Sequence, residues 1–155
     1  AVDATQTPLV IIVCYCLLPN HYHLILKQTS ENSVSKFMLK LGQGYAMYFN
    51  NKYSRSGSLF QGAFKTSHIK SSHHLLQLSC YIHGNSEIHK IGRAEHWAWS
   101  SYLDFLGQRN GQLNDKKLIL SQFENITEYK SLTDSLIKEF ASQKSELKTA
   151  LFEEI

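Results

Sequence analysis

Two histidines one residue apart, His21 and His23, stand in the stretch Leu17-Leu18-Pro19-Asn20-His21-Tyr22-His23-Leu24-Ile25-Leu26. Side chains of a strand repeat every two residues, so both imidazoles project from one face. A strand offers two nitrogens to one metal ion in this way. No carboxylate occurs between Glu31 and Glu87, so a third ligand from nearby sequence must be neutral: Asn, Gln, His or water. An ion held like that keeps most of its charge and suits polarising a phosphate. Tyr81 is a candidate nucleophile, with Asn85 four residues later on the same face of a predicted helix if that helix continues through Gly84. A phenol with a pKa of about 10 is about one part in a thousand ionised at neutral pH, so it needs a metal or a base to react. Taken alone, these residues are also compatible with surface histidines and with an ordinary helix tyrosine, one of eight in the chain.

The elements that must position these groups follow from periodicity. Ten apolar residues, Leu9 to Leu18, run into the turn at Leu18-Pro19-Asn20, and His21 to Lys27 alternates. This predicts a strand pair. The first strand has no polar face, which places it inside a larger sheet. Asn32 or Ser33 can cap a helix in which Val34, Phe37, Met38, Leu41, Tyr45 and Tyr48 form a core-facing stripe. A polar, basic loop covers residues 50–58, and Leu59 to Lys65 fits a third strand. The next helix opens near Ser72, turns Leu75, Leu76, Leu78 and Ile82 inward and reaches Tyr81 and beyond. An aromatic cluster at residues 95–102 is expected to close the core. Residues 9–111 then form a catalytic domain and 112–155 a helical extension, with amphipathic helices predicted over Asn114–Phe123 and Thr127 to about Phe152, the second carrying Leu132, Leu136, Ile137 and Phe140 on one side.

Charge points to a polyanion. The chain carries +3 overall, but residues 1–111 hold ten Lys/Arg against five Asp/Glu, while 112–155 hold six against eight. The carboxylate-free window contains Lys36, Lys40, Lys52, Arg55, Lys65 and Lys70 interleaved with aromatic residues, a pattern suited to nucleic acid. Lys52, Arg55, Lys65 and Lys70 are the expected phosphate contacts, and Tyr53 or Phe60 could stack on unpaired bases. The Leu9–Leu18 run is about half of the ~20 residues a membrane span needs. It also lacks a basic flank, so a soluble cytoplasmic protein is expected. Three cysteines argue against a disulfide framework. Cys14 and Cys16 share a strand face. They are either buried strand cysteines or, with His21 and His23 across the turn, a four-ligand zinc set.

Four blocks in order carry a resemblance. They are Leu18-Pro19-Asn20-His21-Tyr22-His23-Leu24, the run from Tyr48-Phe49-Asn50 through Leu59-Phe60-Gln61-Gly62 to Phe64-Lys65, then Tyr81-Ile82-His83-x-Asn85, and Trp97-x-Trp99-Ser100-Ser101-Tyr102. Together they resemble the single-tyrosine transposases with a His-hydrophobe-His motif, most closely the branch associated with repetitive extragenic palindromes. The resemblance implies an α+β, ferredoxin-like sandwich with an antiparallel sheet. Its first strand and helix would lie outside these residues or come from another copy. It implies nicking and rejoining of single-stranded DNA beside a hairpin, through a 5′-phosphotyrosine made by Tyr81. His21, His23 and Asn85 would hold Mg²⁺ or Mn²⁺, and the working form would be a homodimer or a monomer. Gly84 and Ser86 depart from the family pattern, which leaves open a domesticated hairpin-binding protein without activity.

Overall fold

The computed structural model describes residues 7–142. It is an α+β fold whose strands, β1 (Val10–Leu17) and β2 (Tyr22–Gln28), form an antiparallel pair. The Leu18 N–H donates to the His21 carbonyl at 2.9 Å. The Pro19-Asn20 turn therefore sets Leu18 opposite His21, Cys16 opposite His23 and Cys14 opposite Ile25. Along the other edge of β1 only a bridge forms, Cys16 with Ser100, flanked by Leu17 N–H to the Trp99 carbonyl (2.8 Å) and Ser101 N–H to the Tyr15 carbonyl (3.0 Å). The larger sheet is thus reduced, among the described residues, to two strands and this bridge.

The predicted third strand at Leu59–Lys65 does not form. Those residues run through bends, and the Ser58 hydroxyl donates to the Phe60 carbonyl at 2.6 Å, a local bond that takes the acceptor a ladder would need.

The chain divides into two compact units. One consists of the segment ending at Ile11 together with Lys27–Thr66, the other of Ile12–Leu26 and the chain from Ser67 onward. In the first, α1 (Ser33–Lys52) starts at Asn32, which adopts a left-handed conformation and makes no side-chain cap. The Ser33 hydroxyl instead accepts from the Ser30 N–H. The stripe read as core-facing is divided. Met38 is buried, whereas Leu41, Tyr45 and Tyr48 are exposed.

The second unit holds the core: Val13, Cys14, Cys16 and Ile25 from the strands, with Leu78, Ile82, Phe105, Ile119, Tyr129, Ile137 and Phe140. Its centre is α2 (Ser72–Ile88). Ser71 caps this helix by accepting from the His74 N–H. A 3₁₀ turn (Ala94–His96) and the short α3 (Tyr102–Phe105) follow. Trp97 is half-buried, its indole N–H on the Leu17 carbonyl at 2.9 Å, while Trp99 stays exposed. The helix expected at Asn114–Phe123 shrinks to one turn, α4 (Lys117–Leu120). The last helix, α5 (Ile126–Ser142), buries Ile137 and Phe140 as predicted. The remainder of that prediction lies outside the described residues. No described helix is long and apolar enough to cross a membrane.

Two polar groups weld this unit. Arg109 grips Asp104 with Nε (2.8 Å) and Nη2 (2.7 Å) and also donates to the Ala98 and Ser100 carbonyls. Burial works to raise the Asp104 carboxyl, but Arg109 and the Gly111 N–H hold it below the usual range. The other group is His83, fully buried on α2. Its Nδ1 lies 2.8 Å from the Tyr129 hydroxyl and its Nε2 2.8 Å from the Ser101 hydroxyl. The Tyr129 hydroxyl also meets that of Ser79, which itself donates to the Leu76 carbonyl. The rotatable hydroxyls of Tyr129 and Ser101 serve neutral His83 in either tautomer, one accepting its N–H and the other donating to its bare nitrogen.

Burial drives the His83 pKa down to about 3, below the unfolded value of about 6.5. A depressed pKa of this kind stabilises the fold fully above the unfolded value, and the contribution drains away as pH falls from there toward 3. The loss amounts to about 1.4 kcal/mol per pH unit. Urea unfolding between pH 7 and pH 4 should show this acid limb, and His83→Gln should flatten it. Parallel limbs in the two proteins would contradict the assignment.

Candidate active site

The hairpin's His-x-His face and one side of α2 build the site within the second unit. The rings of His21 and His23 are edge-on with centroids 5.3 Å apart, as strand alternation requires. His21 Nδ1 lies 2.7 Å from Asn20 Oδ1. Since a carbonyl oxygen only accepts, this contact places a proton on Nδ1, and in the neutral ring the lone pair is then on Nε2, the form a metal ligand needs. Asn20 was legible in sequence only as a turn residue; its role in orienting the imidazole was not.

Tyr81 meets His23. Their rings are T-shaped at 5.9 Å, and the phenol ring also meets Phe140 of α5 edge-on at 5.2 Å. Burial raises the Tyr81 pKa, and the neighbouring Asn85 side chain pulls it back only in part. The phenol is therefore a weaker acid than in water, and reaction requires activation.

Asn85 sits one turn above Tyr81 because α2 continues unbroken through Gly84 to Ile88. Its Nδ2 donates to the Tyr81 carbonyl at 3.3 Å. Its Oδ1 is buried and, among the described residues, accepts no hydrogen bond. A buried amide oxygen without a donor is costly, unless a cation is its partner. Two imidazoles and this oxygen are a fitting donor set for a divalent ion, softer than Mg²⁺ prefers and better suited to Mn²⁺.

Residue 89 was missed. The ring of His89 lies 5.3 Å from that of His21. Tyr81, Asn85 and His89 recur every four residues, so helical spacing alone carried the signal. These imidazoles do not make a complete cage: no three His, Cys, Asp or Glu among the described residues converge on one ion.

That result also overturns the zinc alternative. The register is shifted from the one that pairs Cys16 with His21. Cys14 faces Cys80 and Ile25, and Cys16 interacts with Ser100 and the Ser86 backbone. Burial raises both thiols, Cys16 to about 11, so they stay protonated and are poor zinc ligands.

Of the expected phosphate contacts, Lys52, Arg55 and Lys65 lie in the first unit and Lys70 in the second, all exposed. A cleft of about 220 Å³ bordered by Glu87, Arg93, Glu95, Lys130 and Asp134 is occupied by its own ion pairs, including Lys130–Asp134 at 2.7 Å and Lys130–Glu95 at 3.3 Å.

Gly84 explains itself. A Cβ there would collide with Ile137 Cγ1, so the absent side chain is what lets α5 approach α2 beside Tyr81. Gly84→Ala should destabilise the protein by about 1–3 kcal/mol through overpacking, despite alanine's better helix propensity. Adding Ile137→Ala should recover part of that loss. Thermal unfolding of the two single variants and the double variant tests this, and strict additivity would exclude the contact.

The family model described as "Transposase IS200 like" matches residues 4–85, more than half of the 155-residue chain and a span containing His21, His23, Tyr81 and Asn85. No curated protein and no solved structure matches.

Proposed function

The chain belongs to the IS200-like transposase family, and from that premise we propose that it nicks and rejoins single-stranded DNA beside a hairpin. Tyr81 is the nucleophile. Its oxygen attacks a backbone phosphorus, the bond from phosphorus to the 3′-oxygen breaks, and the phenolic proton ends on the released 3′-hydroxyl. The products are a 5′-phosphotyrosine and a free 3′ end. Because one phosphodiester replaces another, the reverse attack by a 3′-hydroxyl needs no external energy source.

The observation that carries this reading is the phenol of Tyr81 packed against His23, with the buried amide oxygen of Asn85 one helical turn away. His21, His23 and Asn85 would hold Mg²⁺ or Mn²⁺, with Mn²⁺ favoured by the imidazoles. That ion would offset charge developing on the phosphate. Asn20 fixes the His21 tautomer, and α5 fixes the Tyr81 ring by packing Phe140 on it. Lys52, Arg55, Lys65 and Lys70 would contact DNA phosphates. The four sequence blocks favour the branch associated with repetitive extragenic palindromes, acting as a homodimer.

The unbroken helix through Gly84 supports an active enzyme over a hairpin-binding protein that no longer cuts. Incubating the protein with a labelled hairpin-bearing strand and Mn²⁺ should yield an adduct that survives denaturation. Tyr81→Phe should abolish it. His21→Ala should reduce its formation rate by on the order of 100-fold or more while leaving hairpin affinity within about twofold. Binding without any adduct in the unmodified protein would make it the inactive binder. Equal loss of binding and cleavage in His21→Ala would reduce the histidines to a structural role.

A further inference from the structure

The C-terminal half of α1 does not do what its apolar pattern predicts. Tyr45, Tyr48, Phe49, Lys52 and Tyr53 recur at helical spacing, yet Tyr45 is 49% exposed and Tyr48 and Tyr53 are each 56% exposed. Their rings form a ladder. Tyr45 lies 6.3 Å from Tyr48, 6.1 Å from Phe49 and 6.4 Å from Phe60, and Phe49 lies 4.5 Å from Tyr53. Cations line it: Lys52 Nζ stands 5.6 Å from the Tyr48 ring and 5.5 Å from that of Tyr53, and the Arg55 guanidinium 5.7 Å from Phe49.

We propose that this ladder is a base-stacking platform for single-stranded nucleic acid, with Lys52 and Arg55 meeting the phosphates on either side of the stacked bases. The partner's identity rests on the strand-cleaving reading above; the platform itself rests on the rings. Each base has a π-face, so stacking on exposed aromatic rings binds a strand without demanding a sequence. The alternative occupant, a second copy of this chain, fits poorly. Protein interfaces disfavour lysine at their centre, and no carboxylate between residues 32 and 86 is at hand to pair with Lys52 or Arg55. Phosphates supply that missing charge.

The platform is also pre-shaped. The Tyr53 N–H donates to the Phe49 carbonyl and the Arg55 N–H to the Asn50 carbonyl, each at 3.0 Å. The Asn50 side chain holds the Gly57 carbonyl at 3.0 Å, and Gly57 takes a φ of 93° that suits glycine alone. A backbone shaped before the strand arrives loses little freedom on binding.

The test compares a short oligothymidylate with an abasic oligomer of equal length and charge, by fluorescence anisotropy on the full chain. The unmodified protein should bind the oligothymidylate about tenfold more tightly than the abasic oligomer. Tyr48→Ala and Tyr53→Ala should each weaken oligothymidylate binding by about 5- to 100-fold and leave abasic binding unchanged. Tyr48→Phe and Tyr53→Phe should bind like the unmodified protein, since the ring is kept. These positions are exposed, so all four variants should keep the parent's melting temperature. Equal affinity for the two oligomers, or alanine variants that bind normally, would overturn the platform. So would sedimentation in which Tyr48→Ala turns a dimer into a monomer without changing oligonucleotide affinity, which would give the face to a second copy. The preference without any covalent adduct in the unmodified protein refutes the cleavage reading alone, and an adduct without the preference refutes the platform alone.

Discussion

Burial of α2 is the constraint from which the second unit follows. Its residues from Leu78 to Ser86 are all buried, so every polar group in that run needs a partner or a purpose. Ser79 and His83 are satisfied by a chain of hydrogen bonds through Tyr129 and Ser101 that ties α2 to α5 and to the segment pairing with β1. Gly84 gives up its side chain so that Ile137 can close on the helix. The Asn85 amide oxygen and the Ser86 hydroxyl lie buried in that run without a hydrogen-bond partner among the described residues. A helix so thoroughly enclosed tolerates such defects only at a cost.

The same enclosure governs the chemistry of Tyr81. Contacts with both His23 and Phe140 restrict the ring. Burial also strips water from the hydroxyl and raises its pKa. Position and reactivity are therefore in tension. A phenol held this firmly and stripped of water is a poor nucleophile until charge is brought to it. The His83 relay illustrates the opposite outcome of burial, since there an imidazole is held neutral purely to fasten elements together.

The parts legible in the sequence are those fixed by local pattern. Strand alternation announced the imidazole pair, the apolar run and the Pro-Asn turn announced the hairpin, and the spacing of Leu78, Ile82, Ile137 and Phe140 announced the helices that bury them. Tyr81 and Asn85 could be placed on one face because helical geometry is local. What escaped depends on residues far apart in the chain. Arg109 reaches the Tyr15 hydroxyl across 94 positions, and no pattern around residue 109 foretells it. The cysteine–histidine set failed because a two-residue shift of strand register moves each pairing, and that register is set by the turn rather than by the strands. His89 is the exception: its spacing from Asn85 was as readable as that of Asn85 from Tyr81.

The failed stripe on α1 is the more instructive error. Periodicity reports that one side of a helix is apolar; it does not report what covers that side. Met38 is buried, but the aromatic end beyond it faces outward with Lys52 laid over its rings. The difference lies in residue type. Leucine and valine have little use at a surface, whereas tyrosine presents a flat apolar body and a hydroxyl that water can satisfy. In a segment stripped of carboxylates, a tyrosine ladder bordered by cations offers two attractions of unlike range. Coulombic attraction weakens as salt rises, while ring stacking is short-ranged and nearly indifferent to it. A surface combining both can gather a strand at a distance and hold its bases on contact, a task for which a core-facing stripe would be useless.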